Sequence, residues 1–391
     1  MREALPHRPL LKGLWQRDLP THLWPLWAAL TPASALYSSA LTIRERWWRM
    51  IARHAGVTTI SVGNLTVGGN GKTPFTLFLA TRLRAQGLSV GIVSRGWGRR
   101  GSGAQLVSDG TRILLGPDVA GDEPVMMAKC FDGPIAVARR RIDAITLLAR
   151  RFPLDAVILD DGFQHLRLKR DLDLVLVSAA RGFGNKRVLP AGPMREPLTA
   201  LRRADAVIVM GPDEHCDDSL NTVMRHVLHD KPDLLRDNPI LRAMIRPRNL
   251  VHAEREGWRE TPLAFAGRRV VAVSGLADAS GFHAMLRELG ANLMRAIEYP
   301  DHHDYGPGDW ENIVAAASDA EMAVTTEKDL VKLERFSSPG LSLYALRLEV
   351  SMDERDEGRL FAAIMEHIHK PSVTGTPAPL PASDLLKERA D

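Results

Sequence analysis

Residues 58–74 read TTISVGNLTVGGNGKTP, and FTLFLATRLRAQG continues to Gly87. Thr58–Val62 is mostly β-branched, the loop after it is rich in glycine and ends in Lys72-Thr73, and a helical pattern follows. That order is strand, phosphate loop, helix. Glycines let backbone N–H groups turn inward around phosphate oxygens. The lysine neutralises the β- and γ-phosphates, the hydroxyl takes one position on Mg2+, and the helix N-terminus favours the anion. Thr66, Val67, Gly68, Gly69, Asn70, Gly71, Lys72 and Thr73 are therefore the expected nucleotide-binding residues. One departure stands out. Five positions before Gly71, where this loop usually has its first glycine, the chain has Thr66.

About 90 residues downstream, Ala156-Val157-Ile158-Leu159 runs into Asp160-Asp161. Alone, a strand ending in acid is ordinary. Paired with a phosphate loop, it is the arrangement that holds Mg2+ opposite the loop hydroxyl. Both elements end at strand carboxyl termini, where parallel α/β sheets bind ligands. ATP and Mg2+ follow as expected ligands, with Thr73, Asp160 and Asp161 on the metal.

Working outward, short apolar runs alternate with helical stretches from residue 57 on. Strands are predicted at Thr58–Val62, Ser89–Ser94, Ala156–Asp160, Leu174–Val177 and Ala206–Met210, and a second set at Val270–Val273, Met322–Thr325 and Leu343–Leu348. Residues 212–262 are polar, with Pro239–Val251 as an extended connector. The expected fold is α/β: a P-loop NTPase-like parallel sheet core over 57–243 and a second, smaller α/β domain over 244–350 that closes over the active site. A helix over 351–370 and a proline-rich, disordered tail over 371–391 complete it.

Composition narrows the class. The chain has 391 residues, 45% hydrophobic and 25% charged, with a net charge of +4. That is globular composition, and the charge is too small to argue for nucleic acid. Two cysteines without paired spacing suit a reducing compartment. His215, Cys216, His226 and His229 match no zinc spacing.

The charge is concentrated at the start. Residues 1–53 hold eight bases and three acids, so this segment carries +5 of the total, together with Trp15, Trp24, Trp27, Trp47 and Trp48. Tryptophan with arginine favours a membrane–water interface. Residues 23–41 are uncharged and near spanning length, but Pro25 and Pro32 interrupt them. From Ser39 to His54, Ile43, Trp47 and Ile51 recur at four-residue spacing, with Arg46, Arg49 and Arg53 on another face and Gly56 as a C-cap. The segment 1–56 is thus an N-terminal amphipathic helical segment. It either lies on an anionic surface or packs its tryptophan face on the enzyme, and membrane association is the expectation carried forward.

Three kinds of phosphate-loop protein compete. A membrane ATPase switch carries a lysine near position 67, and this chain has none between Arg53 and Lys72. A GTPase motif fails because Thr326-Glu327-Lys328-Asp329 has its lysine one place late. A small-molecule kinase remains. At this point GNLTVGGNGKTP, SRGWGRR (Ser94–Arg100), GDEP (Gly121–Pro124), LDDGFQH (Leu159–His165), LPAGPMREP (Leu189–Pro197), DHHDY (Asp301–Tyr305) and TTEKDLVKL (Thr325–Leu333) come into play. In this order they resemble the tetraacyldisaccharide 4'-kinase (lipid A 4'-kinase) family, over about residues 10 to 350. That family normally lacks the first loop glycine, and commonly has Tyr where Trp97 stands here.

The resemblance implies transfer of the ATP γ-phosphate to the 4'-hydroxyl of a tetraacyldisaccharide 1-phosphate, in lipid A biosynthesis. It implies Asp122 as catalytic base, His302 as its partner from the second domain, and Lys72 as catalytic cation. Asn64, Arg95, Gln164, His165, Arg195 and Glu196 are candidate substrate-binding residues. Arg99 is a weaker one, and Thr326, Lys328 and Asp329 are expected to line the cleft. The implied partners are the acylated lipid and the cytoplasmic-facing membrane surface, with no nucleic acid and no obligate protein partner. The implied location is the cytoplasmic face of the inner membrane, peripheral or monotopic. A membrane-docked P-loop ATPase without a small-molecule acceptor is the alternative.

Overall fold

Strands that are apolar along their whole length, rather than alternately, need cover on both faces, and this is the habit of parallel sheets. The strands at Thr58–Asn64, Ala156–Asp160, Leu172–Ser178 and Ala206–Gly211 are buried along nearly their full length. The computed structural model describes Trp15 and residues 21–211, 238–254, 257–336 and 341–368. In chain order its strands are β1 (Thr58–Asn64), β2 (Val90–Ser94), β3 (Gln105–Asp109), β4 (Pro134–Val137), β5 (Ala156–Asp160), β6 (Leu172–Ser178), β7 (Ala206–Gly211), β8 (Ile240–Glu254), β9 (Gly257–Thr261), β10 (Arg269–Ser274), β11 (Asn292–Glu298), β12 (Met322–Thr326) and β13 (Leu343–Ser351). The helices used below are α1 (Trp24–Ile51), α2 (Lys72–Ala85), α3 (Asp122–Cys130), α4 (Arg141–Arg151), α5 (Ser280–Glu288), α6 (Pro307–Ala316), α7 (Glu327–Leu333) and α8 (Glu354–Ile368).

All thirteen strands belong to one sheet, ordered β11-β10-β12-β13-β8-β7-β6-β1-β5-β2-β4-β3, with β9 paired to β8. Strands β7, β6, β1, β5, β2 and β4 are parallel neighbours, and β3 closes that edge antiparallel. Strands β11, β10, β12 and β13 form a second parallel set. The sequence expectation of an α/β core with a mostly parallel sheet holds.

The surprise is β8. Its first residues pair parallel with β7 over Ile240–Met244, and its later ones antiparallel with β13 from Met244 to Val251. What reads in sequence as a connector is a 15-residue strand that splices the two halves into one sheet. Pro247 sits at the register shift of the β8–β13 ladder, where a missing N–H is tolerated.

Helix α2 buries Phe75, Thr76, Leu79, Ala80 and Leu83, one stripe at helical spacing. Their cluster also contains Val331 of α7, Val350 of β13 and Leu360, Phe361 and Ile364 of α8, so apolar packing joins the halves as well. Helix α8 occupies the span predicted for a C-terminal helix, while residues 371–391 and the His215–His229 region lie outside the described residues.

The N-terminal segment differs from its sequence reading in extent. Instead of a break near Ser39, one 28-residue helix runs from Trp24 to Ile51 and ends at Ala52, not Gly56. Pro25 falls in the first turn, where its absent N–H costs nothing. Part of the helix packs on the enzyme and part of it is exposed. Ser34 and Leu41 are buried, and Trp27 and Trp48 are half-buried under Arg187 and Arg167. Trp24, Leu26, Leu36, Ile43, Trp47 and Met50 stay exposed. Among the described residues no helix is long and apolar enough to cross a membrane.

Candidate active site

The carboxyl ends of β1 and β5 place the phosphate loop and the acid pair side by side, because these strands are paired in register from Thr58↔Ala156 to Val62↔Asp160. Gly71 takes a left-handed φ of 72° at the start of α2, which turns the chain into the helix. Lys72 Nζ donates to Asn64 Oδ1 at 3.3 Å and lies 3.6 Å from Asp161 Oδ1. Asn64 also holds the loop by donating to Thr66 O at 2.8 Å, and Asn70 donates to Thr66 Oγ1 at 2.8 Å. The segment Leu189–Pro197 runs beside the loop: Val67 N–H donates to Pro193 O at 2.8 Å and Arg195 N–H to Leu65 O at 2.7 Å. Arg195 Nη1 then contacts both carboxylate oxygens of Asp161 at 3.0 and 3.1 Å.

The two aspartate carboxyls are shifted in opposite directions. Asp160 is fully buried and accepts only a long 3.4 Å bond from Thr76 Oγ1 among the described residues. Burial, with Glu123 and Asp161 as acidic neighbours, pushes its carboxyl up to about 7. Burial acts on Asp161 too, but Lys72 and Arg195 outweigh it and hold that carboxyl below its usual value. A buried acid crowded by other acids is a position that a cation would relieve.

The second half of the sheet supplies a different group of contacts. Asp122 opens α3 after Gly121, whose φ is 95°. A Cβ there would sit 2.8 Å from Trp97 O, so only glycine brings these backbones together. Asp122 is 4% exposed. His302 Nδ1 lies 3.0 and 3.1 Å from its two oxygens, and Lys332 Nζ lies 3.1 Å from Oδ2. Burial would raise the Asp122 carboxyl, but the hydrogen bond and charge of His302 and the charge of Lys332 bring it down to about 2. The same hydrogen bond raises His302. Trp97 stacks on the imidazole with ring centroids 5.2 Å apart. The His302 backbone is itself left-handed, at φ 59°, and Lys332 donates to the carbonyls of His302 and His303 at 3.3 and 3.0 Å.

Helix α7 organises this side. Thr326 caps it by accepting from Asp329 N–H, Asp329 accepts from Gly275 N–H at 2.9 Å, and Lys328 reaches Gly275 O and Asp301. Lys328 and Lys332 are four apart and so share a helix face.

The family model described as Tetraacyldisaccharide-1-P 4'-kinase (LpxK) matches residues 26–369. The chain belongs to this family. Among its relatives, the tetraacyldisaccharide 4'-kinase of Anaeromyxobacter sp. strain K is 40% identical over 334 residues, covering 83% of this chain and 86% of that one. The Geobacter sulfurreducens protein of the same name is 38% identical over 330 residues, covering 83% and 89%. The crystal structure of LpxK from Aquifex aeolicus in complex with ATP superposes with a TM-score of 0.70 at 30% identity, over 88% of this chain and 100% of that one.

In this 4'-kinase family member the structure joins Lys72 to Asn64 and Asp161, Asp161 to Arg195, and Asp122 to His302. Gln164 donates to Asn64 O at 2.8 Å. His165 lies among Arg95, Arg141, Arg167 and Arg170. Burial and then those charges push it down to about 4, so the ring is neutral at physiological pH. Among the described residues His165 Nε2 and Arg141 Nε have no hydrogen-bond partner. Arg99 is turned to Gly103 O and Gln105 and does not join them. Glu196 stands apart as well: it is 3% exposed and pairs with Arg203 at 2.7 Å. Sequence reasoning missed Lys332, whose signal was its four-residue spacing from Lys328. It also missed Glu123 beside Asp160, and Arg181, which bonds Gly69 O and Asn70 Oδ1 of the phosphate loop.

Proposed function

We propose that this chain is the ATP-dependent kinase that moves the γ-phosphate to the 4'-hydroxyl of a tetraacyldisaccharide 1-phosphate, working on a lipid surface. The observation that carries the reading is the Asp122–His302–Lys332 cluster, together with a phosphate loop whose Lys72 meets Asn64 and Asp161.

Thr66–Thr73 cradle the triphosphate, and Lys72 neutralises the transferring group. The residues fit Mg2+: Thr73, Asp160 and Asp161 offer hard oxygen donors, and burial with the acids Glu123 and Asp161 outweighs Lys72 and Arg141 at Asp160. Among the described residues no three His, Cys, Asp or Glu side chains form a closed metal cage, as suits an ion held mostly by phosphates and water. When bound, Mg2+ neutralises charge on the phosphates. The acceptor hydroxyl is oriented by Asp122. Its oxygen bonds to the γ-phosphorus as the β,γ-bridging bond breaks, and ADP leaves with that electron pair. A carboxylate held near 2 is a weak base, so it takes the hydroxyl proton late, once the oxygen is bonded to phosphorus and acidic. His302 fixes the carboxylate, and Trp97 fixes His302.

Arg141 and Arg95 place positive charge around the neutral His165, which suits a phosphate-bearing acceptor head group, and Gln164 bonds the Asn64 carbonyl nearby. The exposed Trp24, Leu36, Ile43, Trp47 and Met50 of α1, beside Arg44, Arg46 and Arg49, suit insertion among acyl chains with phosphate contact at the rim. Facing the cytoplasm is what access to ATP requires.

The test incubates purified protein, Mg2+ and ATP labelled on its γ-phosphate with anionic vesicles containing a disaccharide lipid monophosphate. Label is expected in the lipid, and release only to water would sink the reading. In a second arm, Ile43→Ser/Trp47→Ser/Met50→Ser should weaken vesicle binding and leave ATP affinity unchanged. Undiminished vesicle binding would remove α1 from the lipid contact.

A further inference from the structure

Outside the phosphate cleft, four charged side chains form a chain that the transfer reaction does not use. At its centre is Arg203, last residue of the short 3-10 turn Leu198–Arg203, its side chain 6% exposed. Its Nη2 pairs with Glu196 Oε2 at 2.7 Å and its Nη1 with Glu45 Oε2 of α1 at 3.1 Å. Arg44, also on α1, lies 3.9 Å from the other Glu196 oxygen. The Arg203 guanidinium covers the Phe163 ring, 4.4 Å from its centroid.

Each of these contacts is one short step from Asp161. Phe163 lies two residues on, with β1 as its floor: a Cβ at Gly63 would come within 2.4 Å of Phe163 Cβ. Glu196 follows Arg195, which grips Asp161 and bonds Leu65 O. Asp161 itself has φ 52°, a left-handed conformation that aspartate adopts more readily than most non-glycine residues. Arg203 thus touches Phe163, two residues beyond Asp161, and Glu196, next to the arginine that grips Asp161. A second tie joins the same parts. Ser34 of α1 donates to Val188 O at 2.8 Å and accepts from Ala191 N–H at 2.9 Å, and the strand of loop they belong to lies along the phosphate loop.

We propose that Arg203 is a positioning residue for phosphoryl transfer, which locks helix α1 to the Asp161 loop so that the seating of α1 sets the placement of that carboxylate. The helix that meets the lipid surface then also braces the phosphate site. This rests on reading Asp161 as a phosphate-site acid.

The experiment measures kcat, the KM for ATP and the melting temperature of the full chain and of Glu45→Gln, Arg203→Lys, the double variant and Asp161→Asn, with ATP, Mg2+ and the lipid monophosphate in micelles. Lysine keeps the charge of Arg203 but cannot fork to two carboxylates and cover a ring. Glu45→Gln should lower kcat about fivefold and Arg203→Lys about twentyfold, with KM for ATP nearly unchanged, in the range of such coupling effects. The double variant should lose no more than Arg203→Lys alone. Wild-type kcat in Glu45→Gln and Arg203→Lys, whatever their melting temperatures, would overturn the proposal, as would independent, multiplying losses. If Arg203→Lys does not fold, Glu45→Gln decides, since Glu45 is partly exposed. Full activity in Asp161→Asn would instead sink the reading of that acid. Impaired Asp161→Asn beside unimpaired Glu45→Gln and Arg203→Lys sinks the proposal alone.

Discussion

The two halves of the sheet alternate strand and helix in the same way, yet they hold their functional groups differently. In the β1–β7 half, Asp160 and Asp161 stand at the end of the buried strand β5, and Lys72 opens α2 at the end of the loop that leaves β1. The β10–β13 half puts no strand end against the phosphates. It reaches across with side chains: His302 from a loop and Lys332 from α7, both onto the Asp122 carboxylate. One half is assembled by folding alone. The other is a contact between halves, and its strength follows charge. Substitutions in the first should therefore break the reaction, and those in the second should tune it.

The largest effect tests the first part of that contrast. Lys72→Met removes the one cation built into the loop and should lower kcat by about 10³, the scale of losing a preorganised charge at the transferring group. Steady-state kinetics with ATP as the varied substrate checks it. A loss under tenfold would mean that the loop does not grip the γ-phosphate. On the other side, Lys332→Met should cost about tenfold in kcat and leave ATP affinity intact, because Lys332 supports Asp122 and the left-handed His302 backbone without touching the nucleotide loop. Equal losses from the two variants would erase the distinction between the halves.

The same contrast governs how much could be read from sequence. The phosphate end was legible because its signals are local: a strand, a glycine loop and Lys72-Thr73, then an apolar run closed by Asp160-Asp161. Strand β8 was hidden by Pro247, which marks a bulge in a ladder but reads as a break in a linker. Edge strand β11 was missed because it is mostly exposed and carries little apolar pattern. Glu196 was grouped with Arg195 as a substrate contact because the two are adjacent. Arg195 grips Asp161, while Glu196 pairs with Arg203. Asp122 and His302, 180 residues apart in the chain, came from family resemblance; no spacing rule links them. Lys332 needed the phase of α7 and the packing of one half on the other, which no local pattern carries.

The smallest expected effect concerns the pH range over which the charge-held half stays closed. His302 is raised above its ordinary value because its proton is shared with Asp122. The stability that this proton provides is fully present below the unfolded histidine value of about 6.5 and is lost as pH climbs through the higher folded value. Asp122 works in the opposite direction. Held near 2, it contributes about 2 kcal/mol at neutral pH, present above the unfolded aspartate value and lost as pH falls toward 2. His302→Ala should therefore destabilise the protein most between about pH 5 and 6.5, and the gap from wild type should narrow as the solution is made alkaline. Urea unfolding of both proteins across pH 5 to 9 measures it. A pH-independent gap for His302→Ala would show that the imidazole is held by stacking on Trp97 rather than by its charge, and the two halves would then be fixed by the same kind of force.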